Sequence, residues 1–97
     1  MNNHNTYLLK DAINDFLNTY PFIKDKVREN RIKELWEKLM GKMISNHTQA
    51  LYLRNGVLFI EVNSASLRTE LSYAKEKIKN TINSEIGDNS ITEVRIK

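Results

Sequence analysis

The sequence has no cysteine, one proline, three glycines and one tryptophan in 97 residues. Without cysteine there is no disulfide framework and no thiolate metal or redox centre, a usage that fits a reducing cytosol. So few Pro and Gly residues leave no long flexible linker. No stretch approaches the roughly 20 apolar residues that cross a bilayer. The opening Met1-Asn2-Asn3-His4-Asn5 lacks the basic-then-apolar pattern of a secretory signal. These absences predict a soluble, cytoplasmic chain. The glycines, at 41, 56 and 87, are too far apart for a phosphate loop. A chain of this length holds one modest core, so residues 1–97 are read as a single domain with 1–5 disordered.

Composition is otherwise that of a folded domain, with 40% hydrophobic and 28% charged residues. Fifteen Lys and Arg against twelve Asp and Glu give a net charge of +3. With a pI near 9.2, that is a mild bias towards polyanions. There is no internal repeat and no low-complexity segment.

Leu9, Ala12, Ile13, Phe16, Leu17 and Tyr20 recur at helical spacing and predict a helix from Thr6 to about Tyr20. Pro21 should break it. Residues 22–29 are read as a short helical turn followed by a bend near Asn30, where Asp25 and Glu29 dilute a cluster of Lys24, Lys26 and Arg28. Ile32, Leu35, Trp36, Leu39, Met40, Met43 and Ile44 then carry the cleanest helical period, predicting a helix from Arg31 to about Ser45. Gly41 inside it would permit close approach of another backbone.

The period then changes to two. Asn55-Gly56 between apolar alternations predicts a two-residue hairpin, pairing Leu53 with Leu58, Tyr52 with Phe59 and Leu51 with Ile60. Leu67, Leu71, Ala74, Ile78, Ile82 and Ile86 predict one further long helix from Ser64 or Ser66, closed by Gly87 in a left-handed cap. A last strand, Ile91 to Lys97, points Thr92, Val94 and Ile96 one way and Glu93, Arg95 and Lys97 the other. The order α-α-α-β-β-α-β defines an α+β, two-layer domain, a three-stranded sheet with helices packed on one face.

Nothing suggests catalysis, a metal site or a cofactor. His4 lies in the terminal segment and His47 follows a helix, where an imidazolium suits the negative end of the dipole. No carboxylate stands in ligand spacing to either histidine. Binding features are stronger. Arg68, Ser72, Lys75 and Lys79 fall at i, i+4, i+7 and i+11, one basic stripe on the last helix or simply a solvated face. With Leu51, Leu53, Leu58 and Ile60 turned inward, Tyr52, Arg54, Val57 and Phe59 face out, and Arg95 and Lys97 join them. Exposed aromatics beside cations on an open sheet are used to stack unpaired bases. The alternative is a protein interface on the same face, with a second copy or another partner.

Trp36, Gly41, His47-Thr48, Asn55-Gly56-Val57-Leu58, Val62-Asn63-Ser64, Glu70-Leu71, Ile82-Asn83 and Gly87, in this order and spacing, resemble the DciA-like family over residues 9–97. The resemblance implies a KH-like fold, a bacterial source, and an accessory protein that binds DNA and the replicative helicase and helps load it on single strands. Other members are described as RNA-binding. Studied members carry a further segment that contributes to helicase contact; with the sequence ending at Lys97, no such tail is expected. The Gly-x-x-Gly clamp of KH domains is missing, since Gly41-Lys42-Met43-Ile44 has one glycine. Trp36, Gly41, Gly56, Leu71 and Gly87 are read as structural. The expected function is a non-enzymatic nucleic-acid-binding module with DNA favoured over RNA. Its expected contacts are Tyr52, Arg54, Phe59, Arg68, Lys75, Lys79, Arg95 and Lys97.

Overall fold

A computed structural model describes the backbone of residues 3–97 and the side chains of residues 8–97. Its elements are α1 (Asn3–Thr19), α2 (Pro21–Met40), α3 (Lys42–His47), β1 (Thr48–Arg54), β2 (Val57–Val62), α4 (Ala65–Ser72), α5 (Lys75–Ile86) and β3 (Glu93–Ile96). The sheet order is β1-β2-β3. β1 and β2 form the antiparallel hairpin, and β3 returns parallel to β2 after the α4–α5 crossover. The element order is the expected one. The disorder expected at 1–5 falls partly on Met1 and Asn2, outside the described residues; residues 3–5 open α1.

The hairpin register is as the alternation predicts, with Arg54 opposite Val57 and Tyr52 opposite Phe59. Asn55 and Gly56 both adopt positive φ, 50° and 82°, the handedness that matches strand twist. Position 56 needs glycine twice over. A Cβ there would meet Thr92 Oγ1 at 3.0 Å and the Ser90 carbonyl at 3.2 Å. The close backbone approach expected at Gly41 is therefore at Gly56.

Three helical boundaries differ from expectation. Residues 22–29 are no turn, and no bend occurs near Asn30; α2 is continuous from Pro21. Proline is well placed at a first helical position, because its missing N–H would have no intrahelical partner there. Gly41 (φ 89°) ends α2 instead of lying inside it, and a Cβ at that position would meet nothing within 4 Å. The break resets the helical phase, so Met43, predicted on the apolar stripe, is exposed. The long helix after the hairpin is split at Tyr73–Ala74 into α4 and α5. Ser64 caps α4 by accepting the Leu67 N–H at 3.2 Å, and Gly87 ends α5 in the left-handed conformation.

The core lies between the sheet and α2, α4 and α5. Ile32, Leu53, Leu58, Ile60 and Ile82 are fully buried, joined by Trp36, Leu51, Val62, Leu67, Leu71, Ile78 and Val94. Trp36 donates its indole N–H to Thr48 Oγ1 at 3.0 Å. β3 is shorter than predicted. Ile91, before the strand, is buried because Asn83 holds its backbone on both sides: Nδ2 donates to the Ile91 carbonyl (2.9 Å), and Oδ1 accepts its N–H (3.1 Å). Thr92 is exposed.

Candidate nucleic-acid interface

The sheet face opposite the helices is built from cross-strand rungs. One rung runs Arg54–Val57–Glu93; the next runs Tyr52–Phe59–Arg95. Carrying the register forward two residues brings Lys97 beside Glu61. Strand alternation places these side chains together because the Leu and Ile residues between them are drawn into the core.

Tyr52 and Phe59 stack with ring centroids 4.9 Å apart and planes inclined by 12°. Three cations surround the pair. The Arg54 guanidinium carbon lies 5.6 Å from the Tyr52 ring centroid, and that of Arg95 lies 5.7 Å from Phe59. Lys97 Nζ stands 4.8 Å from the Phe59 centroid and 5.8 Å from that of Tyr52, and donates to Tyr52 Oη at 3.2 Å. One face of each ring is closed by the other ring; Arg54 lies over Tyr52 and Arg95 over Phe59, while Lys97, near both centroids, stands at the side of the stack.

Their electrostatic settings differ. Arg95 Nε donates to Glu93 (2.6 Å). That bond holds the Glu93 carboxyl below its ordinary pKa and the guanidinium above its own, with Lys75 a weaker contributor at Glu93. Arg54 reaches Glu29 at 3.5 Å and donates to its own strand at the Leu53 carbonyl, 2.9 Å. Among the described residues Lys97 has no carboxylate within ion-pairing distance.

Five of the eight expected contacts, Tyr52, Arg54, Phe59, Arg95 and Lys97, thus form one cluster. The other three do not form the expected stripe, because the interruption at Tyr73–Ala74 separates Arg68 on α4 from Lys75 and Lys79 on α5. Arg68 donates to the Val62 carbonyl at 3.0 Å. Since the Val62 N–H bonds Lys97 O, Arg68 borders the Lys97 end of the sheet. Lys79 is paired with Glu76 at 2.9 Å and is largely covered.

Glu29 was not expected to belong to this region. Assigned from sequence to a dilute charge cluster, it is instead 2% exposed, on the face of α2 turned to β1. Oε1 accepts the Leu53 N–H at 3.0 Å; Oε2 receives Lys26 at 2.8 Å and lies 3.4 Å from Lys33. Desolvation alone would raise its pKa. The bonds from Lys26 and Leu53 and the charges of Lys33 and Lys26 outweigh that and bring it to about 2. Once α2 is seen to be continuous, the signal is visible: Glu29 stands three residues before Ile32 and seven before Trp36, on the core face. Glu29, Lys26, Lys33, Trp36 and Arg54 line a groove of about 610 Å³ between α2 and β1. His47 bonds Asn63 Oδ1 through Nδ1 at 2.8 Å. Among the described residues no cluster of three His, Asp or Glu could hold a metal, and no helix is long and apolar enough to cross a membrane.

A three-stranded sheet with helices on one face and a cationic, aromatic opposite face defines a two-layer α+β domain. The family described as "Dna[CI] antecedent, DciA" matches residues 8–96, and the chain belongs to that family. A UPF0232 protein of Corynebacterium glutamicum is 36% identical over 61 residues, covering 63% of this chain and 34% of that protein. A UPF0232 protein of Bifidobacterium longum is 27% identical over 66 residues, covering 68% of this chain and 42% of that one. The chain therefore aligns with less than half the length of these curated relatives. No solved structure gives a significant match.

Proposed function

We propose that this chain is a non-enzymatic, nucleic-acid-binding accessory module acting with the replicative helicase during loading. The family description, an antecedent of Dna[CI], supports the link to the helicase. The observation that carries the nucleic-acid reading is the Tyr52–Phe59 pair ringed by Arg54, Arg95 and Lys97. Cations so placed can swing from the rings to phosphates, which are read without regard to base. A base can stack on Tyr52 or Phe59 only where one of these cations has left the ring. Phosphate contact thus comes first and favours single strands, whose unstacked bases are free to follow. Arg68 extends the cationic track at the Lys97 end; Lys75 and Lys79 are peripheral.

The test is a fluorescence-anisotropy titration of labelled single-stranded DNA, and of RNA of the same sequence, at about 50 and 200 mM salt. Saturable binding that weakens steeply with salt, tighter for DNA, is expected. Absence of binding at low salt would refute this reading. The partial burial of both aromatic rings supports a second reading, a protein docked on this face. In that case Phe59→Ser abolishes partner binding, and salt has little effect.

A further inference from the structure

Eight of the ten large hydrophobic side chains exposed among the described residues lie on α1, on Tyr20 that joins it to α2, and on the first turns of α2. The radius of gyration is 15.6 Å, against about 12.5 Å for a compact chain of this length. The longest axis is 53 Å against 26 and 20 Å, because α1 projects from the body. Along α1 and the Tyr20 that follows it, Leu9, Ile13, Phe16 and Tyr20 alternate steps of four and three, the spacing of a coiled-coil seam, and each is 50–63% exposed. Phe16 and Tyr20 already contact each other along it, with centroids 4.9 Å apart. A soluble domain does not ordinarily leave such a stripe bare.

The pattern along α1 also names its occupant. Reversed about the midpoint between Asn14 and Asp15, the stretch 9–20 maps onto itself. Leu9 falls opposite Tyr20, Ala12 opposite Leu17 and Ile13 opposite Phe16. Lys10 meets Thr19, Asp11 meets Asn18, and Asn14 meets Asp15. Every apolar residue of this stretch meets an apolar one, and no charge meets its like. Such self-complementarity is what a two-fold, isologous contact requires. We propose that α1 is a homodimerisation helix, packing antiparallel against α1 of a second copy. The six apolar residues present on the order of 500 Å² per copy, so two copies bury about 1,000 Å², the lower end for a specific interface. The dimer is accordingly concentration-dependent. It uses none of the residues of the outer sheet face and is independent of the nucleic-acid reading.

The test uses the full chain. Analytical ultracentrifugation from ~1 to ~500 µM should show mass rising towards twice that of the monomer, at low and high salt alike. Ile13→Asp with Phe16→Asp should abolish the rise while the circular dichroism of the body persists. With no native cysteine, disulfide trapping then reads the direction. Leu9→Cys mixed with Tyr20→Cys should give a cross-linked dimer on mild oxidation, and neither variant alone should. In the antiparallel pairing, two Leu9 positions stand eleven residues apart along the axis, about 16 Å, too far for a disulfide. A monomer throughout the range, a dimer surviving the double Asp variant, or self-cross-linking of Leu9→Cys alone would each overturn the proposal.

Discussion

Replacing Glu29 by Gln should destabilise the fold, and the loss should vanish in acid. The carboxylate joins α2 to the outer edge of β1 through the Leu53 N–H and gathers Lys26, Lys33 and Arg54 around it. Its pKa falls from 4.5 to about 2 on folding. A depressed carboxyl pKa favours the folded state above the unfolded value, and that contribution is lost as pH falls through the folded one. A shift of this size corresponds to about 3 kcal/mol at most. The lysines are about half exposed, so solvent screening brings the expected effect nearer 2 kcal/mol. That is a substantial part of the stability of a small domain. Gln keeps the volume and an acceptor for Leu53, so the difference isolates the charge. Urea denaturation of both chains at pH 7, 4.5, 3 and 2 should show a gap of about 2 kcal/mol at pH 7. The gap should be near full at pH 4.5 and close to zero at pH 2. Equal stability at pH 7, or a gap that ignores pH, would refute the reasoning.

Asn83→Ala removes both bonds to the Ile91 backbone and leaves buried polar groups unpaired, so chemical denaturation should show a loss of about 2 to 4 kcal/mol. Gly56→Ala places a Cβ against Thr92 and Ser90 at a positive-φ position; left-handed strain alone costs about 1–2 kcal/mol, visible as a lowered Tm. Gly41→Ala shares the backbone strain but meets no neighbour, so its Tm should fall less. Lys75→Glu with Lys79→Glu, away from the aromatic pair, should weaken nucleic-acid binding less than charge reversal at Arg95 and Lys97, as read by anisotropy.

The hairpin was legible because Asn55-Gly56 fixes turn type, and turn type fixes register; the Tyr52–Phe59 pairing follows from it, whereas Arg95 reaches Phe59 through the β2–β3 register, which the turn does not set. The core face of α4 and α5 was legible from the spacing of Leu67, Leu71, Ile78 and Ile82. The interruption at Tyr73–Ala74 was not, because the apolar period runs on through it. Pro21 was read only as a stop, although the same residue starts α2. The bend then placed near Asn30 hid Glu29, whose charge makes sense only on a continuous helix facing β1. Gly41 failed differently: a glycine within an apolar period can lie in a helix or end it, and the pattern does not distinguish them. The aromatic and cationic face was legible from alternation. Its internal arrangement, with cations over the rings, depends on rotamers that a sequence does not specify.

Binding of phosphate by Arg95 and Lys97 is the central claim. The direct measurement is the salt dependence of single-stranded DNA affinity for the native chain and for Arg95→Gln with Lys97→Gln, leaving Arg54 in place because it also contacts Glu29. Removing one cation from a phosphate lowers the slope of log K against log salt by about 0.7 on single strands, so the double variant should bind more weakly with a slope shallower by about 1.4. An unchanged slope and affinity, with the fold intact, would contradict the claim and leave the outer face to another partner.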